Sequence, residues 1–128
     1  MARRLAANEA RNSPNFPSAY CDRGISKSNL GNMQGAIDDF SKAIELSPTF
    51  SDAYTNRGIL HKTIGRSSKA VADFNIAINL NPNDINAYYN RGLLKVSNDQ
   101  KESGCNDLQK AYSLGHQTAG SEIEKLCN

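Results

Sequence analysis

The sequence lacks tryptophan and has little of what marks membrane or exported proteins. Among its 128 residues there are no Trp, four Pro and three Cys, and aromatic residues make up 7%. No stretch approaches the roughly 18 to 20 consecutive apolar residues that a membrane-spanning helix needs. The basic opening segment MARRLAANEA is not followed by an apolar segment, so we do not expect a secretory signal.

The cysteines Cys21, Cys105 and Cys127 are odd in number and lack the spacing of metal ligands. We therefore predict reduced thiols in a cytoplasmic protein. An exported protein without its signal is the alternative. A redox pair would require the C-terminal end of the chain to bring Cys127 close to Cys105, and the sequence offers no support for that arrangement.

The charge is balanced. The net charge is +2, from 15 basic and 13 acidic residues. Proteins that bind nucleic acid or anionic membranes through their overall charge are more basic than this. We therefore expect neither a nucleic acid nor a membrane as the partner.

What the sequence does contain is one pattern that occurs three times, 34 residues apart. Tyr54, Arg57 and Gly58 of the middle copy correspond to Tyr20, Arg23, Gly24 and to Tyr88, Arg91, Gly92. Further positions of the middle copy match Ala36, Phe40, Ala43 and Pro48 in the first copy and Gly104, Leu108, Ala111 and His116 in the third. The middle copy itself has Ala70, Phe74, Ala77 and Pro82 at these positions.

This period, with small residues where helices would cross and proline at the end of a copy, resembles the tetratricopeptide repeat, a helix–turn–helix unit. The resemblance implies an all-α fold, a right-handed superhelix of three helix pairs with a C-terminal capping helix. The predicted repeats are residues 17–50, 51–84 and 85–118, and the capping helix is 119–128. Residues 1–16 are predicted to be an N-terminal extension or a partial repeat, with disorder as an equal alternative.

The recurring glycines and arginines predict two kinds of contact inside each repeat. A glycine in the middle of a helix costs about 1 kcal/mol relative to alanine, so Gly24, Gly58 and Gly92 indicate a close approach of the paired helix. The facing positions are predicted to be Ala36, Ala70 and Gly104. Each recurring arginine is followed 16 residues later by an aspartate, namely Asp39, Asp73 and Asp107. These arginines are predicted to form charge pairs, and a positive ladder that binds an anionic ligand is the less favoured alternative.

In the family that the sequence resembles, the first helices of the repeats line a concave groove, which binds peptides or short helices of partner proteins. Carried over to this chain, the predicted groove residues are Cys21, Ile25, Thr55, Asn56, Ile59, Tyr89, Asn90 and Leu93. Neighbouring groove positions hold Asp22, Asp52 and Asn86. Ile25, Ile59 and Leu93 predict an apolar strip, unless neighbouring helices bury them. Asn56 and Asn90 are predicted to bond a peptide backbone, with solvated surface amides as the alternative.

Some members of the family clamp the C-terminal carboxylate of chaperone tails with two lysines, an arginine and two asparagines. At those five positions only Asn56 matches in this chain. The other four positions hold Cys21, Ile25, Asn86 and Asn90. We therefore expect a neutral or apolar peptide and not a chaperone tail.

The sequence shows no pattern of catalytic chemistry. His61 and His116 are lone histidines, and there is no phosphate-binding loop, nucleophile motif or paired-carboxylate pocket. His61 is predicted to be a helix-face residue with a partly buried stem. We expect no enzyme activity, no metal and no cofactor.

The function predicted from the resemblance is that of a protein–protein interaction module that binds an unidentified protein or peptide. The alternative is a scaffold that forms homo-oligomers through an exposed N-terminal repeat edge. An RNA-binding helical repeat is a further rival, which the balanced charge disfavours.

Overall fold

A computed structural model of the protein describes residues 16–128, which form seven α-helices and no strand. The helices are α1 (Pro17–Asn29), α2 (Met33–Leu46), α3 (Ser51–Thr63), α4 (Ser67–Leu80), α5 (Ile85–Ser97), α6 (Lys101–Ser113) and α7 (Ala119–Leu126). The predicted all-α repeat fold is confirmed. The predicted N-terminal extension lies outside the described residues, except for Phe16. No described helix combines the length and the apolarity needed to cross a membrane.

The helices pack most extensively in three pairs, α1 with α2, α3 with α4 and α5 with α6. Consecutive pairs then pack on one another, and α7 packs on α6. In addition α1 contacts α3, and α3 contacts α5. The first helices of the three pairs are therefore neighbours on one face of the molecule.

The turn inside each pair contains one residue in the left-handed conformation. Gly31 and Gly65 have φ angles of 85° and 83°, and Asp99 has a φ of 63° at the same place in the third pair. The next residue's N–H bonds back to a carbonyl in the last turn of the preceding helix, as in Asn32 to Lys27 at 2.8 Å. Aspartate tolerates this conformation better than most residues, so the third turn forms without glycine.

The mid-helix glycines make room for a large side chain of the paired helix. A Cβ atom on Gly24 would lie 2.9 Å from the Phe40 ring, and one on Gly58 would lie 2.7 Å from the Phe74 ring. In both cases the nearest atom belongs to the aromatic ring of the paired helix, which takes the space above the glycine. Ala36 and Ala70 are fully buried, and their place opposite these glycines stays a prediction.

The third pair has glycine and leucine where the first two pairs have alanine and phenylalanine, and its backbones come closer together. A Cβ on Gly92 would lie 2.9 Å from the backbone oxygen of Gly104 and 3.0 Å from Leu108. The two glycines therefore bring the backbones of α5 and α6 together, as predicted for this pair. Leu108 is completely buried beside them.

A disulfide joins Cys105 of α6 to Cys127, which follows α7. The prediction of reduced thiols is wrong for these two residues. The reason is that α7 folds back on α6, a tertiary contact that cysteine spacing does not reveal. A cross-link of this kind typically stabilises a fold by about 2–4 kcal/mol, chiefly by constraining the unfolded chain. Cys21 is a buried thiol.

Two leucines that differ in exposure test the packing of the pairs. Leu108 is 0% exposed and Leu30 is 85% exposed. Leu108→Ala should lower the free energy of unfolding by about 2–5 kcal/mol, because it leaves a cavity between α5 and α6. Leu30→Ala should change it by less than about 0.5 kcal/mol. Urea denaturation followed by circular dichroism measures both values, and equal values would contradict the described core.

Candidate functional site: the face formed by α1, α3 and α5

The face formed by the first helices contains a cavity of about 340 Å³, which we call the groove cavity. Four of the eight predicted groove residues line it, namely Cys21, Ile25, Thr55 and Asn56. Asp22 of α1 and Asp52 of α3 also line it, as do the residues directly before α3 and α5, Phe50 and Asp84.

Cys21 and Thr55 are largely buried in the wall of the groove cavity. The Thr55 hydroxyl donates a hydrogen bond to the Asp84 carboxylate, which also accepts the Ala87 N–H at 3.1 Å. Asp84 therefore caps the start of α5 and ties it to α3. Asn56 donates to the Cys21 sulfur at 3.8 Å, which links α3 to α1. These side chains shape the groove cavity by their bonds to one another.

The predicted apolar strip is unevenly exposed. Ile25 is 42% exposed and borders the groove cavity, whereas Ile59 and Leu93 are half-buried. Ile59 packs against the core cluster formed by the second and third repeats. The apolar side chain most accessible to a ligand is therefore Ile25, and a binding role for all three residues stays a prediction.

At the other end of this face, Tyr89 and Asn90 are engaged by the protein itself. The Tyr89 ring stacks on His116, with 3.9 Å between ring centroids and 13° between planes. Lys62 donates to the Asn90 side-chain oxygen at 2.9 Å, and the Asn90 amide donates to the backbone oxygen of Asn86 at 2.8 Å. Burial lowers the pKa of Lys62. Tyr89 and Asn90, like Ile59 and Leu93, do not line the groove cavity.

Three residues on this face were not predicted as site residues, namely Phe50, Asp84 and His116. The repeat period contained a signal for two of them, because Phe16, Phe50 and Asp84 occupy the same position before the first helix of each pair. The third copy has aspartate in place of phenylalanine, and the side chain of this aspartate caps α5. His116 had no such signal, since its contact with Tyr89 depends on how the chain enters α7.

The groove cavity is electrically negative. The pKa of the Cys21 thiol rises to about 11, mainly because the thiol is buried; the Asn56 hydrogen bond opposes the rise, and the charges of Asp22 and Asp52 add to it. Among residues 16–128, no lysine or arginine lines the groove cavity. Within residues 16–128, neither Asp22 nor Asp52 forms a salt bridge. Within the described part of the chain, these two carboxylates are therefore not engaged in an ion pair.

The recurring arginines are paired with the recurring aspartates, as predicted. Each guanidinium makes two hydrogen bonds to one carboxylate, with the shorter distances at 2.7 Å for Arg23–Asp39, 2.8 Å for Arg57–Asp73 and 2.7 Å for Arg91–Asp107. The same guanidiniums lie 5.4–5.8 Å from the rings of Tyr20, Tyr54 and Tyr88. Arginines held in this way are not a free anion-binding ladder.

These arginines also join one repeat to the preceding one. Arg57 donates to the Ser41 hydroxyl at 3.2 Å, and Arg91 donates to the Asn75 side-chain oxygen at 2.9 Å. Ser41 lies on α2 and Asn75 on α4. The three arginine–aspartate pairs and these two bonds form a polar layer between the helices. This polar layer orients consecutive helix pairs relative to one another.

His61 interrupts the polar layer in the second repeat. Lys27 and Lys95, at the same repeat position, lie 3.2 Å from Asp39 and 3.4 Å from Asp107, whereas His61 Nε2 lies 3.9 Å from Asp73. The expectation of a partly buried stem was wrong, because the whole ring is buried and its Nδ1 atom has no hydrogen-bond partner within residues 16–128. Burial lowers the pKa of His61; Asp73 opposes this effect, while Arg57, Lys69 and Arg66 reinforce it.

The described residues contain no group of three or more His, Cys, Asp or Glu side chains arranged to hold a metal ion.

Comparison with family models gives three matches. Models described as "Tetratricopeptide repeat" match residues 17–50 and 40–72, and a model described as "TPR repeat" matches residues 63–98. The matches together extend from residue 17 to residue 98. A search of curated proteins found no significant match.

Solved structures share the fold. The first TPR of Spaghetti (RPAP3), bound to the HSP90 peptide SRMEEVD, has a TM-score of 0.83 and 23% identity, covering 87% of this chain and 90% of that one. The Arabidopsis OM64 TPR domain has a TM-score of 0.82 and 20% identity, with 86% and 93% covered. MamA has a TM-score of 0.80 and 24% identity, with 93% and 70% covered. At these identities the likeness shows the fold alone.

The arginine pairing predicts a large effect of a single substitution. Arg57→Met should lower the free energy of unfolding by about 2–4 kcal/mol, because Asp73 would stay buried without its partner. Lys42→Met is the control, since Lys42 only approaches the exposed Glu45, at 3.7 Å, and should cost less than about 1 kcal/mol. Thermal and urea denaturation measure both, and similar losses would argue against the pairing.

The burial of His61 predicts a pH dependence of stability. Because the folded state lowers its pKa below the ordinary value of 6.5, the unfolded chain binds the proton more readily. Stability conferred by the neutral ring is present above pH 6.5 and is lost as the pH falls through the folded-state pKa. The difference in unfolding free energy between the parent and His61→Gln should therefore shift against the parent from pH 7.5 to pH 5. Parallel pH profiles in urea titrations would contradict this.

Proposed function

The chain belongs to the tetratricopeptide repeat family, and from that premise we propose that its groove holds a peptide or helix of a partner protein without any chemical step. Members of this family are interaction modules, so a protein partner is the expectation at the coarser level. The proposal concerns the place of binding, which is the groove cavity and the face formed by α1, α3 and α5.

The observation that carries the proposal is the groove cavity itself. Its volume of about 340 Å³ falls within the usual range of ligand pockets and is enough for a few side chains. Ile25 offers exposed apolar surface there, and Asn56 and Asn86 offer polar groups. An apolar contact surrounded by polar groups suits a peptide, which presents side chains and a hydrogen-bonding backbone together.

The RPAP3 structure supports the proposal by analogy. In that structure a peptide is bound to a TPR domain of similar fold. The peptide itself is not carried over, because this chain has Cys21, Ile25, Asn86 and Asn90 at four of the five positions expected for a carboxylate clamp. We therefore propose a partner of different chemistry.

The oligomeric state and the location of the protein remain hypotheses. Self-assembly through the N-terminal edge remains the alternative function, and light scattering at several concentrations would test it. The cytoplasmic location rested on reduced thiols. The disulfide removes that basis for Cys105 and Cys127, since structural disulfides are typical of oxidising compartments.

A matched pair of isoleucines tests groove binding. Ile25 borders the groove cavity and is 42% exposed, and Ile76 lies on the second helix of its pair, α4, and is 41% exposed. Peptides selected by the parent chain from a random 12-residue display library should bind Ile25→Glu at least about 10-fold more weakly, because a charge would replace the apolar contact. Ile76→Glu should bind as the parent does.

Fluorescence anisotropy with the selected peptides measures the affinities, and circular dichroism melts confirm that both variants are folded. Equal affinity of Ile25→Glu and the parent would place binding elsewhere. A library that yields no binding peptide would contradict the proposed function itself.

A further inference from the structure

We propose that the groove cavity recognises a lysine or arginine side chain of the bound segment, with an apolar residue of that segment placed beside Ile25. This inference rests on the proposed peptide-binding function and adds the charge of the ligand to it. It revises the expectation of a neutral or apolar peptide.

The wall of the groove cavity carries two exposed carboxylates. Asp22 and Asp52 are exposed and lie on different helices, yet both line the groove cavity. The third aspartate of the wall, Asp84, is already bonded to Thr55 and to the Ala87 N–H. Asp22 and Asp52 therefore remain as carboxylates that a cationic side chain can approach, and such a side chain would gain charge-assisted hydrogen bonds there.

The charges of Asp22 and Asp52 act on the same part of the groove cavity. The Cys21 sulfur lies in the wall between α1 and α3, where it accepts a hydrogen bond from Asn56. Both Asp22 and Asp52 contribute to the rise of the Cys21 pKa. Their fields therefore overlap inside the groove cavity, although one carboxylate belongs to each helix. A positive group entering this space would interact with both.

Charge is unevenly distributed over this face. The cation Lys62 also lies on α3, but it does not line the groove cavity and is bonded to Asn90 of α5. Asp22 and Asp52 are the exposed charged residues of the cavity wall. A bound segment would place its basic residue near these carboxylates, next to the apolar surface of Ile25 and Phe50.

A purely structural role explains only one of the two aspartates. Asp52 lies in the first turn of α3, where a negative charge stabilises the helix N-terminus. Asp22 lies near the middle of α1, makes no salt bridge within residues 16–128 and has no such role. Its place at the cavity wall is accounted for by a cationic ligand.

The test uses the same random 12-residue peptide library, displayed against the full chain. The selected peptides should contain more Lys and Arg, and less Asp and Glu, than the unselected library. One selected peptide is then synthesised in two forms, with its basic residue intact or replaced by Gln. The double variant Asp22→Asn/Asp52→Asn should bind the basic form roughly 2- to 30-fold more weakly than the parent does, as expected for two partly exposed charge contacts. It should no longer distinguish the basic form from the Gln form.

The control double variant Asp38→Asn/Glu45→Gln changes the net charge equally at exposed positions on α2, and it should bind within about 2-fold of the parent. Selected peptides without a basic excess would overturn this inference and leave the proposed function standing. Equal weakening by both double variants would also overturn it, because the effect would then come from net charge. The absence of any selected peptide would overturn both proposals, and a chain found dimeric through this face would assign the groove to a second copy.

Discussion

The close contact between a mid-helix glycine and a large side chain of the paired helix is the constraint on which the rest of this structure depends. Phe40 and Phe74 pack against Gly24 and Gly58 in the first two pairs, and Leu108 packs against Gly92 in the third. Any side chain on the glycine would push the helices apart. The groove is a consequence of this pairing, since the stacking of three helix pairs places α1, α3 and α5 side by side.

The polar layer complements this apolar contact. A bidentate arginine–aspartate pair has a preferred geometry, so each pair orients one helix of a repeat relative to the other. The bonds from Arg57 to Ser41 and from Arg91 to Asn75 extend this orientation to the preceding repeat. The net stability that such partly buried ion pairs add is limited, because desolvation offsets much of their attraction. His61 is the exception, because a neutral buried ring takes the position that a lysine has in the other two repeats.

The two ends of the groove differ in what they leave free for a ligand. Towards α1 the groove cavity has exposed carboxylates and an exposed isoleucine. Towards α5, Tyr89 is stacked by His116, and Asn90 is bonded to Lys62. The disulfide between Cys105 and Cys127 holds α7 against α6, close to the segment that carries His116. The side chains that remain free for a ligand are thus those of the groove cavity, where the exposed carboxylates lie.

The sequence by itself determined the repeat, its three copies and the arginine–aspartate pairs, because each of these recurs at one period along the chain. It did not determine which atoms meet. That the rings of Phe40 and Phe74 would lie over the glycines, that Asp84 would bond Thr55, and that Cys127 would reach Cys105 depend on how helices pack in three dimensions. The acidic character of the groove cavity has the same origin. Asp22 and Asp52 are 30 residues apart in the chain, and both act on the Cys21 thiol only because α1 and α3 pack together.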